Sequence, residues 1–338
     1  MAVSPQPAET GDPQPPRKWR PKLVRRAGFL LIAIAVGVIA ADFVPKEIAR
    51  WLFAAAINAH EEAVNARRER NVALADEKAN LAQQRISRAI TFDARNPRIF
   101  LQRAQWRLEQ EMYAAALEDC DRAIELAPES LPIYRLRAVI NLELNEWDKV
   151  LADAKRIVEL AEGKGDANLW EPLNELAYFR ALANRDLDAA EKDANRAIAL
   201  LEKQINETTQ APRDPAHAIY RAMLYDTRGY VHFRQGRYQQ ALADYHTAIR
   251  SLGRARELWS TWERSVPETL AANHRPWFQS SVHQCLITYA HRAMAYEALG
   301  QIRNARRDLE LAQLQGLDVF REKESAAIAN RVLAPPQN

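Results

Sequence analysis

Four side chains in one stretch, His274, His283, Cys285 and His291, carry the nitrogen and sulfur atoms that a transition metal takes as ligands. Their spacing is wrong for a metal. On a helix, His283 and Cys285 point in different directions, and His283 and His291 lack the i, i+4 relation that sets two ligands on one face. The acidic neighbours Glu61-Glu62 and Asp119-Asp121 offer carboxylates for acid-base work, yet a solvated helix face accounts for them. No glycine-rich phosphate loop, nucleophile elbow or paired zinc-ligand motif occurs. The chain is therefore expected to be no enzyme and to hold no metal and no cofactor. Cys120 and Cys285 fall far apart in any repeat stack, so two buried thiols are expected rather than a disulfide.

What must position these side chains is a periodic helical framework. Phe100 and Ala104 recur as Tyr134 and Ala138, thirty-four positions on. The first copy continues through Ala116, Cys120, Ala123 and Pro128, and the second through Trp147, Val150, Ala154 and Ile157. A fourth copy reads Tyr225, Arg228, Gly229, Gly236, Tyr238, Ala241, Tyr245 and Ala248. The fifth reads Tyr289, Arg292, Ala293, Gly300, Ile302, Ala305, Leu309 and Ala312. A third, degenerate copy in Ala177, Leu187, Ala190, Ala194 and Ala197 fits if its turn near Asn184 holds one extra residue. Small residues at matching places let paired helices approach closely and interlock. Gly236 and Gly300 suit a left-handed helix stop. Pro97, Pro132, Pro172, Pro215 and Pro276 precede or open first helices, where a missing amide hydrogen removes no bond.

This pattern resembles the tetratricopeptide repeat family over residues 97–162 and 171–315, interrupted by insertions. One departure stands out, because the family's leucine place holds Arg103, Arg137, Arg228 and Arg292. The resemblance implies an all-α fold, a right-handed α-solenoid of stacked helical hairpins. It also implies a protein or peptide partner held along the concave face made by first helices. The lysine and asparagine carboxylate clamp of chaperone-binding members is absent at Leu101, Gln105, Arg135 and Val139. The concave face would present Arg98, Gln105, Arg135, Asn174, Tyr178, Asp226, Tyr230, Phe233 and Arg234. Tyr178, Tyr230 and Phe233 would make an aromatic strip, with arginines to place a partner's charges.

The N-terminus adds a second theme. Residues 1–26 comprise a proline-rich tail and a basic cluster, Arg17, Lys18, Arg20, Lys22, Arg25 and Arg26. Ala27 to Ala41 then runs fifteen residues without a charge, and Phe43 and Val44 extend it beyond Asp42. Residues 27–44 are expected to form one transmembrane helix, flanked by Trp19 and Trp51. The basic cluster keeps the N-terminus cytoplasmic, which puts the repeats on the periplasmic or extracytoplasmic side of an inner or plasma membrane. The alternative is a secretory signal cleaved near Ala41, which would release a soluble exported chaperone-like or ligand-binding protein. The net charge is +3, of which residues 1–26 supply +4, leaving the remainder near −1 with no basic face for nucleic acid.

Residues 45–96 read as a helical linker and N-terminal cap, in which Ala82, Ile86, Ala89 and Ile90 match a second helix while Arg70 stands where a small residue is expected. No heptad is sustained there, which leaves oligomeric state open. Repeats one and two occupy 97–162, the third 171–200, the fourth 217–252 and the fifth 286–315, with a C-terminal cap and tail over 316–338. Between repeats four and five, 254–284 is a tryptophan-rich insertion with Trp259, Trp262 and Trp277. These three would supply extra core between longer helices, or else a second contact surface. The expected function is a non-catalytic membrane scaffold for protein interaction or complex assembly.

Overall fold

The computed structural model describes residues 21–207, 214–321 and 325–333, with side chains from residue 41 onward except Asp42. Among them are fourteen α-helices and no strand. The chain divides into two compact units, one ending at Arg103 and the other beginning at Ala104.

The first unit is a long antiparallel hairpin. Helix α1 (Pro21–Arg68) packs on α2 (Val72–Phe92), and α3 (Pro97–Glu109) begins in this unit. In α1 the buried residues are Ala49, Leu52, Ala56, Ala59, Ala63 and Ala66, which alternate steps of three and four. They meet a seam of Ala75, Ala82, Ile86 and Ala89 in α2. The heptad missing from the sequence reading is therefore present in alanine, and its partner is the next helix of the same chain. Large apolar residues are not needed where backbones pack closely. Arg85 Nη1 donates to the Ala55 carbonyl across the seam at 2.9 Å, and Lys78 pairs with Glu62 at 2.7 Å. Arg70, where a small seam residue was expected, instead turns the chain at φ 60°, and Asn71 caps α2 by accepting from the Leu74 amide.

The expected membrane segment, 27–44, is part of α1, but the side chains of 27–40 and of Asp42 lie outside the described residues. So do residues 1–20 altogether. Among the described residues no helix is long and apolar enough to cross a membrane.

The second unit holds the hairpins. They are the part of α3 from Ala104 onward with α4 (Tyr113–Leu126), α5 (Leu131–Glu143) with α6 (Trp147–Gly163), and α7 (Trp170–Ala183) with α8 (Leu187–Glu207). Next come α9 (Pro215–Arg234) with α10 (Tyr238–Ser265), then α11 (Glu268–Gln284), α12 (Ile287–Ala298) with α13 (Ile302–Leu314), and α14 (Ala326–Val332). From α4 to α10 each helix packs on the next, and the first helices α7, α9 and α12 also touch in succession. Each hairpin turns on one left-handed residue: Glu111, Asn145, Asn184, Gly236 or Gly300. In four cases the second helix starts two residues later. In the third hairpin Asp186 is also left-handed and α8 starts three residues after Asn184, which is the extra residue that the degenerate copy required.

Four of the five prolines sit in the first turn of α3, α5, α7 and α9. Pro276 does not. It lies inside α11, while the first helix of repeat five begins at Ile287. The carbonyl it frees belongs to Ala272, an exposed residue on the solvated side of α11, where water can replace the lost bond.

The tryptophan-rich stretch is built differently from a loop insertion. Ala241, Tyr245, Ala248, Leu252, Ala255 and Trp259 keep one buried stripe, so α10 continues well past the expected end of its repeat at residue 252. Trp259 then stacks on Phe278 of α11, with ring centroids 4.3 Å apart and planes 11° from parallel, and Trp262 lies 4.9 Å from Trp259.

Candidate partner-binding face and the ion pairs behind it

The register of the stack is set at one seam per hairpin. Ala104, Ala138, Ala177, Gly229 and Ala293 are all buried in first helices. Cys120, Ala154, Ala194, Tyr245 and Leu309, the matching places in second helices, are buried too. At Gly229 a methyl group would stand 2.7 Å from the Tyr245 ring, so the largest partner faces the smallest residue.

One position N-terminal to the seam lie the arginines that replace the family's leucine. Arg137 reaches Asp153 with Nε at 3.0 Å and Nη2 at 2.6 Å. Arg228 makes the same fork to Asp244 at 3.0 and 2.6 Å, and Arg292 to Asp308 at 2.7 and 2.7 Å. Each guanidinium also lies over the aromatic ring three residues earlier, 5.6 Å from Tyr134, 5.0 Å from Tyr225 and 5.8 Å from Tyr289. Arginine here covers the ring as leucine would and adds a two-pronged bond to a buried carboxylate. What reads in the sequence as a lapse from the repeat pattern is thus a second pattern. Arg103 and Asp119 share its sixteen-residue spacing.

A second position, three residues past the seam, also reaches the aspartate. Arg107 Nη1 donates to Asp119 at 2.8 Å, and Arg180, at the equivalent place in repeat three, pairs with Asp193. In repeat four that place is His232, whose Nδ1 is 2.9 Å from Asp244. Burial pushes the Asp244 carboxyl upward, but His232 and Arg228 more than reverse it and hold the group below the usual carboxylate range. Asp193 goes the other way: burial raises it and Arg180 only partly opposes.

The expected partner-facing residues do not share one environment. Arg98 and Gln105 are exposed, whereas Arg135, Asn174, Tyr178, Phe233 and Arg234 are half-buried. Arg135 spans from α5 to α7, 3.1 Å from Glu171 and 3.0 Å from Glu175. Burial lifts the Glu175 carboxyl above its ordinary value despite Arg135 beside it. Asp226 and Tyr230 are buried, 8% and 3% exposed, and serve packing: Asp226 bonds His291 Nδ1 at 3.0 Å, bridging α9 and α12. The aromatic strip does form, with Tyr178 and Phe233 at 5.9 and 6.2 Å from Tyr230, which Arg234 also caps. Its surface share is Tyr178, Phe233 and Arg234.

The four candidate metal ligands are dispersed. His274 sits edge-on to Trp262, His283 is exposed, Cys285 is buried and His291 is held by Asp226. Among the described residues no group of three or more His, Cys, Asp or Glu is placed to hold a metal ion. Cys120 and Cys285 are free thiols, each pushed up to about 12 by burial. Of the tryptophans, Trp259 is buried, Trp262 half-buried and Trp277 exposed.

No family model matches the chain. Serine/threonine-protein phosphatase T of Trypanosoma brucei brucei is 32% identical over 107 residues, which are 32% of this chain and 22% of that protein. RNA polymerase II-associated protein 3 of Xenopus tropicalis is 26% identical over 161 residues, 47% of this chain and 23% of that protein. The chain thus spans under a quarter of the length of these relatives. Similar solved structures include PilW, described as a widely conserved type IV pilus biogenesis factor (14% identity, 81% of this chain, 97% of that one, TM-score 0.48). A tetratricopeptide repeat protein from Parabacteroides merdae is similar at 13% identity over 81% of this chain and 98% of its own, TM-score 0.43.

Proposed function

We propose that the chain is a membrane-anchored scaffold of tetratricopeptide type, without chemistry of its own, which holds a protein segment along the first-helix face. The observation that carries this reading is the five-fold recurrence of a buried small residue at one seam, each with a left-handed turn after its first helix. Such hairpins bury each other and leave one row of first helices to meet a partner. Gln105, Val139, Tyr178, Phe233 and Arg234 are among the side chains on that row with surface to offer. Residues 27–44 are the anchor in this reading, with the N-terminus cytoplasmic and the repeats on the periplasmic or extracytoplasmic side. Its support is the uncharged run of the sequence and, directly after it on α1, the exposed apolar side chains Phe43, Val44, Ile48 and Trp51.

Photo-crosslinking in intact cells tests the face. A crosslinking residue in place of Gln105, Val139 or Tyr178 is expected to give discrete adducts with the same protein. One in place of Arg306, on a second helix, is expected to give none. Equal adducts from both faces, or none from either, would discard the docking face. Alkaline extraction of membranes tests the anchor separately: the full chain should stay in the pellet and a chain lacking 27–44 should not.

A further inference from the structure

Between α9 and α10, and independent of that reading, lies an open recess of about 270 Å³ lined by Ala218, Arg221, Thr247, Arg250, Ser251 and Arg254, of which Arg250 and Arg254 are exposed. Thr247, Arg250, Ser251 and Arg254 share one face of α10, and Ala218 and Arg221 share one of α9. Three guanidiniums on one small space repel one another unless negative charge answers them.

The carboxylates nearby answer only in part. Arg254 pairs with Glu257 at 3.1 Å one turn along the same helix, an exposed contact that leaves most of its five donors unused. Arg221 Nε lies 2.7 Å from Glu202 Oε1 on α8, yet neither atom makes an aligned hydrogen bond. Among the described residues Arg250 has no carboxylate partner and bonds only the Thr247 hydroxyl, at 3.3 Å. The Ser251 hydroxyl has no partner among the described residues. Neither Glu202 nor Glu257 lines the cavity, so its wall is cationic with two hydroxyls.

We propose that this cavity binds a phosphate monoester. Forked guanidiniums match the oxygens of a phosphoryl group, and hydroxyls supply the short bonds that a dianion takes. The lining holds no aromatic ring or large apolar side chain, so it recognises the phosphoryl group and not a base or ring attached to it. The carrier is a small phosphorylated molecule or a phosphoserine in a peptide segment.

Calorimetric titration and thermal unfolding of the detergent-solubilised full chain test this. Inorganic phosphate is expected to bind saturably and to raise the melting temperature above that in chloride of equal ionic strength. A phosphoserine peptide binding at least tenfold tighter than inorganic phosphate assigns the site to a protein segment; equal binding assigns it to a small molecule. Arg250→Gln should weaken phosphate at least tenfold, while Arg303→Gln on α13 should leave it unchanged. Ser251→Asp, which puts a carboxylate in the cavity, should raise the melting temperature without phosphate and abolish the response to it. A phosphate response matched by chloride, or kept in full by Arg250→Gln and Ser251→Asp, overturns the site, as does a peptide with glutamate for phosphoserine that binds as tightly.

Discussion

Repeats three and four stand next to each other and solve one packing problem by opposite means. In repeat three the seam is Ala177 with Ala194, the turn is Asn184 with Asp186, and Leu176 fills the place that holds arginine elsewhere. In repeat four the seam is Gly229 with Tyr245, the turn is Gly236, and Arg228 stands beside the seam. The aspartate of repeat four is buried, with Arg228 and His232 against it and a lowered carboxyl; that of repeat three is half-buried, with Arg180 and a raised one. The difference teaches that each hairpin keeps a small residue where its first helix comes closest and a basic side chain beside the aspartate, while the residues around them are free to change.

Removing a cation from the better-paired site breaks the comparison hardest. Arg228→Leu strands a buried carboxylate with His232 alone, and about 3 kcal/mol of local stability should be lost, toward the lower end for breaking a buried pair. Arg180→Leu should lose only about 1–2 kcal/mol, because the Asp193 carboxyl, already raised by burial, takes up a proton at small expense. Amide hydrogen exchange of each hairpin reads the two losses separately. A larger loss from Arg180→Leu would show that the number of donors does not decide the strength of these sites.

The close approach is tested at the seam of repeat four. Gly229→Ala drives a methyl group into the Tyr245 ring and should destabilise by about 1–3 kcal/mol, the range for overpacking. Adding Tyr245→Leu recreates the alanine and leucine of Ala293 and Leu309 and should recover most of that loss. Double-mutant analysis by urea unfolding measures the coupling. If the two changes simply add, the seam is not where the helices meet most closely.

The same local fits decide what was legible beforehand. The hairpins could be read because alanine, glycine and proline act locally: a small residue marks a close approach wherever it stands, and Gly236 and Gly300 mark a turn by their own backbone freedom. The extra residue near Asn184 was legible for that reason too. Pro276 misled because a solvated helix face tolerates a proline that a buried one would not. The alanine heptad of α1 was missed because heptads are sought in large side chains. The arginine and aspartate pairs were visible as a recurrent sixteen-residue spacing, but the arginine was read against an expected leucine and not against its partner. On the candidate face, residue type gave the aromatic strip but not its orientation. Tyr230 and Asp226 turned inward because α12 brings His291 against both, a contact between residues far apart in sequence.

The smallest effect, and the one that separates charge from packing, is the dependence on pH. Asp244, lowered in the folded chain, contributes stability that is present above the unfolded carboxylate value of about 3.9 and is lost as pH falls through the folded value. Asp193, raised in the folded chain, binds its proton more tightly folded than unfolded, so its contribution is lost as pH climbs from about 3.9 through the folded value. Urea midpoints of wild type, Asp244→Asn and Asp193→Asn across the acid range should therefore diverge in opposite senses. The gap between wild type and Asp244→Asn should shrink toward low pH, whereas Asp193→Asn should gain on wild type as pH rises. Slopes of the same sign would mean that removal from water, which acts on both aspartates, outweighs the side chains placed against Asp244.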